Sequence, residues 1–362
     1  VTADQLRDRW LRSRLTPSAE IQALMTRWSA VALRPESGQD LAGWLVARGI
    51  LTRYQADHLL EGKTDNFFLD LYRIEERIGK GAAAKVFRAT HPRHGKTALK
   101  VLPPSRGKDS EQLARFQREG RILTRLSHPG IVRGIEVGQC RGLNYLAMEY
   151  VEGVTLDAVL KQRGQLPPRE AARVGLLTCL ALGHMHEQGL IHRDIKPGNL
   201  MLTPPPGPFE NTMACSVKVL DVGLGRETFD PDSPDPLFEL TADGSLLGTP
   251  DYLSPEQARD PRRTDERSDL YALGCVLYHA LAGKPPFADD SVVRAILRHA
   301  SQPAPLLHEV CPGLPVDLSA AIAALLAKDP AQRHQSAAEA GAAFQRFLAL
   351  SSAKPQSNTA RP

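Results

Sequence analysis

Cysteine is scarce and poorly placed for crosslinking. Cys140, Cys179, Cys215, Cys275 and Cys311 are far apart, odd in number and never in C-x-x-C spacing. That argues against a disulfide framework or a cysteine zinc site and fits a reducing compartment. A strong charge of one sign is also missing. The 45 Lys and Arg nearly balance 41 Asp and Glu, and the net charge of +4 is too small to argue for a nucleic-acid partner. The basic run Arg7, Arg9, Arg12 and Arg14 accordingly reads as a solvated helix face. No apolar run is long enough to cross a bilayer. The most apolar stretch, LYALGCVLYHALAG at 270–283, contains His279 and reads as a buried helix. No signal peptide is visible, so a cytoplasmic location is expected. The chain begins at Val1 without a methionine and ends in SSAKPQSNTARP, which fits a piece of a longer protein and leaves membrane anchoring of that parent open.

What is present suits a globular protein. With 362 residues, 42% hydrophobic and 24% charged, the chain can form two core-bearing units with a smaller appendage. Apolar residues recur at three- and four-residue intervals in QLRDRWLRSRL, PSAEIQALMTRWSAVAL and DLAGWLVARGILTRYQADHLL, predicting three helical runs over residues 1–66. Trp10, Trp28 and Trp44 within them read as core residues of a small bundle. From residue 72 the texture becomes short runs broken by Gly and Pro, including YRIEERIGKG, KVFRATHP and KTALKVLP, as expected of antiparallel strands. A charged helix, SEQLARFQREGRILTRL, separates these from the strand-like IVRGIEVG and LNYLAMEYV, and helices dominate after about residue 155. The expected fold class is α+β and two-lobed, with a cleft between a β-rich small lobe (72–149) and a helical large lobe (152–347). The extension at 1–66 stands outside it, and residues 350–362 read as a flexible tail. TPPPGPFENTMACS at 203–216 reads as an extended turn between two short strands. The polar, Pro/Asp-rich stretch 228–248 is too long for a simple connection.

Several weak signals stand in order. IGKGAAAKVF at 78–87 spaces Gly79 and Gly81 as in a phosphate-cradling loop, with Ala84 where G-x-G-x-x-G has its last glycine. Alone it is most often a tight turn. Lys100 lies inside the apolar run ALKVL and wants a partner, which Glu119 in the following helix can supply. IHRDIKPGNLML carries Asp194, Lys196 and Asn199, and VKVLDVGLGR carries Asp221.

Together, in this order and spacing, the pieces resemble the protein kinase signature set. The likeness continues in GTPDYLSPEQA (248–258), SDLYALG and KDPAQRHQS, where Arg333 looks like the partner of Glu256. It covers roughly 72–347, and MEYVEGVTL, HRDIKPGN and GTPDYLSPEQA are similar to the eukaryotic-like (Hanks-type) Ser/Thr kinases of bacteria. By that resemblance Lys100 holds the ATP α/β-phosphates and is aimed by Glu119. Asn199 and Asp221 bind Mg²⁺, Asp194 orients the substrate hydroxyl and accepts its proton, and Lys196 stabilises the transferring group. Gly79 and Gly81 approach the phosphates. Val86 and Ala98 cover the adenine from above and Met201 from below. Met148–Val151, with Glu149 and Val151, form the hinge. Arg193 before the catalytic aspartate implies control by phosphorylation of the activation segment, with Thr241 and Ser245 the best-placed acceptors and Thr228 and Ser233 weaker ones. The partners implied are protein substrates, with no nucleic acid and with the option of a homodimer through the small lobe.

Two departures matter. Val222 replaces the aromatic of D-F-G, and its packing beside Leu123 and His192 loses on the order of 1–2 kcal/mol. Ala84 costs about 1–2 kcal/mol if its backbone must be left-handed, and nothing if the tip takes an ordinary turn. An active Ser/Thr kinase and a pseudokinase scaffold are therefore both carried forward. The N-terminal helices either dock on the kinase or a partner and regulate it, or are a packing appendage.

Overall fold

The computed structural model describes residues 1–80, 84–103, 110–207, 210–221, 250–260 and 264–353. They fall into two compact units, Val1–Arg121 with Gly134–Tyr150, and Ile122–Arg133 with Val151 onward.

The first unit begins with four helices, α1 (Ala3–Ser13), α2 (Ser18–Val31), α3 (Gly38–Ala47) and α4 (Arg53–Leu60). The third helical run expected from periodicity is in fact two helices. Gly49 takes φ +68°, and Thr52 then starts α4 through a reciprocal capping box with Gln55. Trp10 is fully buried, Trp28 nearly so, and Trp28 meets Trp44 edge-on at 5.8 Å, giving the bundle its own core. Arg9 departs from the solvated-face expectation. Its guanidinium donates to the Leu59 and Leu60 carbonyls at 2.9 and 2.7 Å, satisfying the C-terminal end of α4.

A six-stranded antiparallel sheet follows, in the order β1 (Phe68–Leu69), β2 (Tyr72–Lys80), β3 (Lys85–His91), β4 (Gly95–Val101), β6 (Leu143–Glu149), β5 (Gly134–Cys140). Strand periodicity sorts its residues. Leu99 and Val101 join Ile74, Ala89 and Tyr145 in one apolar layer, so Ala98 and Lys100 take the opposite face. The helices touch the first strands directly. Thr52 Oγ1 donates to the Glu75 carbonyl, Gln55 Nε2 donates to the Ile74 carbonyl at 2.7 Å, and Tyr54 meets Phe87 edge-on. Helix α5 (Ser110–Leu123) lies between β4 and β5 in sequence and ends three residues short of the helical pattern. It crosses the sheet at Gly120, where a Cβ would sit 2.1 Å from Val137 Cγ2, so only glycine allows that approach.

The second unit holds a small sheet, β7 (Val154–Thr155), β8 (Leu200–Thr203) and β9 (Ser216–Val219), paired antiparallel. Helices α6 (Leu156–Arg163) and α7 (Pro168–Glu187) lie between β7 and β8 in sequence. After β9 come α8 (Pro255–Arg259), α9 (Glu266–Ala282), α10 (Val292–Ser301), α11 (Leu307–Val310), α12 (Val316–Leu325) and α13 (Ala337–Ala353). Helix α7 packs against α9 and α13. Helix α9 is the LYALGCVLYHALAG segment and is buried nearly all round, as expected of a helix apolar on every face. Ile131, expected in a strand of IVRGIEVG, instead makes an isolated parallel bridge to Val219. No helix among the described residues is long and apolar enough to cross a membrane. All five cysteines are free, and burial pushes the Cys179 thiol up to about 12.

Candidate active site

The second unit gathers its chemistry between α7 and β9. Residues 191–196 form an irregular loop ending in a turn at Pro197–Asn199. Asp194 Oδ2 accepts from Lys196 Nζ at 2.8 Å and from Asn199 Nδ2 at 3.0 Å, and the same amide nitrogen donates to the Asp194 carbonyl at 2.8 Å. Both bonds fall on one carboxylate oxygen. Among the described residues Oδ1 accepts none, so it is the atom left to take a proton from an incoming hydroxyl.

His192 is fully buried and ties the loop to the end of β9. Its Nδ1 accepts from the Asp194 backbone N–H at 3.2 Å, and Nε2 lies 2.9 Å from the Leu220 carbonyl. A backbone N–H can only donate and a carbonyl only accept, so the ring is the neutral tautomer protonated on Nε2. The Leu220 N–H in turn bonds the Asn199 carbonyl at 2.8 Å, which sets Asp221 beside the turn that carries Asn199.

Two residues here hold backbone conformations that side chains disfavour, Arg193 at φ +62° and Asp221 at φ +50°. Such strain costs on the order of 1–3 kcal/mol and persists only where surroundings over-determine it. At Arg193 they do. Its N–H donates to Asp269 Oδ1 at 2.7 Å, its carbonyl accepts from Gln257 Nε2 at 3.1 Å, and the His192 N–H donates to Asp269 Oδ2 at 2.8 Å. His186 Nε2 also lies 2.9 Å from Asp269 Oδ2. Asp269 is fully buried on α9 and positions the loop. The motif SDLYALG contains it, but spacing alone assigns it no role. Its sequence signal is a carboxylate set directly against the apolar run LYALGCVLYHALAG.

Helix α8 is anchored as KDPAQR anticipates. Arg333, wholly buried, meets Glu256 in a two-pronged ion pair at 2.7 and 2.8 Å, and Ser268 donates to the same carboxylate. Burial alone would raise the Glu256 carboxyl, but hydrogen bonding and charge from Arg333 outweigh it and hold the group below its usual range. Removing one partner of such a pair costs about 3–5 kcal/mol. Ser254 caps α8 in a reciprocal box with Gln257.

Met201 lies on β8 opposite Lys218, between the fully buried Leu200 and Leu202, so strand alternation puts it on the other face of the small sheet. Gly153 packs over it, where a Cβ would lie 2.8 Å from Met201 Cγ and 2.5 Å from the Leu202 carbonyl. Val151 precedes β7 in this unit.

The first unit presents the remaining predicted residues on its sheet. Val86 pairs with Lys100 and with Gly79 in register, Lys100 with Leu146, Ala98 with Met148, and Thr97 with Glu149. Ala84 is buried. Gly81, Val222, Thr228, Ser233, Thr241 and Ser245 lie outside the described residues, as does the side chain of Glu119.

The donor set suits Mg²⁺. Asn199 spends its amide nitrogen on Asp194, leaving its oxygen as a hard donor, and Asp221 adds a carboxylate. The described residues hold no group of three or more His, Cys, Asp or Glu able to cage a metal. Mg²⁺ asks for no such cage, since it is commonly held by one or two protein oxygens together with substrate phosphates and water.

Comparison with known proteins decides the family. Residues 72–343 match the protein kinase domain. The chain belongs to the protein kinase family. It is 38% identical over 284 residues to serine/threonine-protein kinase PknB of Mycobacterium tuberculosis, covering 76% of this chain and 42% of that protein. It is also 38% identical over 278 residues to the probable PknB of Bifidobacterium longum, covering 74% of this chain and 38% of that one. Among solved structures, the M. tuberculosis PknI kinase domain superposes with a TM-score of 0.57 at 27% identity, covering 77% of this chain and 97% of that one. The fold is thus that of a bacterial Hanks-type Ser/Thr kinase domain, a family that uses ATP and Mg²⁺. The chain spans about two fifths of the length of these curated kinases.

Proposed function

We propose that this protein transfers the γ-phosphate of ATP to Ser or Thr hydroxyls of proteins. The observation that carries this reading is Asp194 held by Lys196 and Asn199 through one carboxylate oxygen. In phosphoryl transfer the protein contributes positioning and charge neutralisation more than covalent chemistry. Asp194 orients the attacking hydroxyl and takes its proton. Lys196 offsets negative charge on the transferring group. Lys100, aimed by Glu119, grips the α/β-phosphates, and Gly79 and Gly81 let backbone approach them. Val86, Ala98 and Met201 enclose the adenine, while Glu149 and Val151 offer backbone hydrogen bonds to its edge. Asn199 and Asp221 hold Mg²⁺, which neutralises phosphate charge when bound.

We assign residues 1–66 to a helical extension, 72–347 to the kinase domain and 350–362 to a tail. The extension docks on the small lobe and modulates it, a reading supported by the Thr52 and Gln55 bonds to β2. Self-association through the small lobe and a cytoplasmic site of action belong to the same proposal. The pseudokinase alternative rests on Ala84 and Val222, and the likeness to Ser/Thr kinases does not favour it.

Phosphopeptide mapping after incubation with ATP and MgCl₂ tests the regulatory part. Phosphate on Thr241 or Ser245 is expected. Phosphate confined to other segments would remove the activation-segment reading while leaving transfer intact.

A further inference from the structure

Wholly within the first unit, a groove of about 1100 Å³ opens between the α3–α4 region and the apolar layer of the sheet. Its floor is Tyr54, Phe68, Leu69, Ile74, Phe87 and Val101. Its rim carries Arg53, Lys63, Arg77, Lys85, Arg88 and Arg141 against only Glu61, Asp65 and Glu76. Some of these cations are already committed. Arg88 pairs with Glu75 and Glu76, Arg53 with Asp57, Lys63 with Glu61, and Arg141 donates to the Asp65 carbonyl.

Arg77 and Lys85 are different. Both are exposed, and neither has a carboxylate partner among the described residues. The half-buried Tyr54 hydroxyl, within electrostatic reach of Arg77 and Lys63, also lacks a hydrogen-bond partner among the described residues. Apolar floor, aromatic wall and uncompensated positive rim therefore coincide in one concavity. Its volume lies just above the usual range of small-molecule pockets, and its cations are spread along the groove instead of converging on one point, so a single small anion would satisfy few of them.

We propose that this groove docks an acidic segment of a partner protein, with Phe or Leu side chains on the apolar floor and carboxylates on Arg77 and Lys85. The extension supplies one wall, so the site needs both the helices and the sheet. Arg77 and Lys85 belong to the β2–β3 hairpin that also carries Gly79 and Val86, which puts the docked segment against the strands leading into the glycine-rich turn.

A probe of that chemistry is the sequence FDPDSPDPLFELTAD (229–243), which carries five carboxylates with Phe and Leu and no cation. Made as a free fluorescein-labelled peptide with Ser233→Ala and Thr241→Ala, it cannot act as a phosphate acceptor. Fluorescence anisotropy against the full chain without ATP reads docking independently of catalysis, so failure here and failure of the kinase reading are distinguishable. Saturable binding is expected, weakened about tenfold or more by the double change Arg77→Glu and Lys85→Glu and unaffected by Asp194→Asn. Both reversed residues are exposed, and an unchanged melting temperature shows that the variant remains folded. A peptide with Asn and Gln in place of its acids should bind no better than that variant binds the acidic peptide. Absence of saturable binding, equal binding by the charge-reversed variant, or binding to phosphatidylserine vesicles in place of the peptide would overturn the proposal.

Discussion

At the scale of single residues, the decisive features are a carboxylate with one oxygen occupied and a loop held against its own backbone preference. Asp194, Lys196 and Asn199 were legible because they lie within six positions of one another, and a turn of that length brings its own ends together. Asp269 was not legible as a site residue, because its bonds to the His192 and Arg193 N–H groups span more than seventy positions. Asp269→Asn retains shape but presents an amide donor where backbone donors must be received. It should cost about 1–3 kcal/mol in stability and lower kcat roughly a hundredfold through misplacement of Asp194, with KM for ATP little changed. Steady-state kinetics with a melt of the same sample checks this. A variant losing stability but keeping kcat would reduce Asp269 to a packing role.

Between elements, the contacts that matter are few and specific. Helix α4 touches β2 through Thr52 and Gln55, the same two residues that start the helix. Thr52→Ala removes the cap and the bond to the Glu75 carbonyl together, so a loss of about 1–2 kcal/mol in urea unfolding is expected. Periodicity revealed the helices but not this contact, since an apolar stripe identifies a buried face without naming what buries it. The α9–α10 junction makes a pH prediction. His299 is fully buried, with Nδ1 3.1 Å from the Tyr271 hydroxyl, which accepts from Lys328 Nζ at 2.8 Å. Burial first, and the Lys328 charge second, lower the imidazole to about 3. Unfolded, it titrates near ~6.5, so between these values the unfolded chain binds the extra proton. The contribution is complete above pH ~6.5 and is lost progressively as pH falls toward 3. The melting temperature should therefore fall from pH 7 to pH 5, and less steeply in His299→Gln. Equal slopes would contradict the assignment.

At the scale of the whole molecule, strand-rich and helix-rich halves were readable from the change of hydrophobic period near residues 72 and 155. The grouping of the N-terminal helices with the sheet in one unit was not. The family match begins at residue 72, and which surface the helices of 1–66 pack against is not encoded in their period, because an apolar stripe does not name its partner. The central claim remains chemical: this loop moves phosphate. Intact mass after incubation of the full chain with ATP and MgCl₂, beside an Asp194→Asn control, tests it most directly. The account predicts gains of one or more phosphates (about 80 Da each) in the native sequence and none in the variant, because proton acceptance and hydroxyl orientation both reside in Asp194. Equal gains in both samples would contradict that role. No gain in the native chain, with a protein substrate present and left unmodified, would contradict the kinase reading itself.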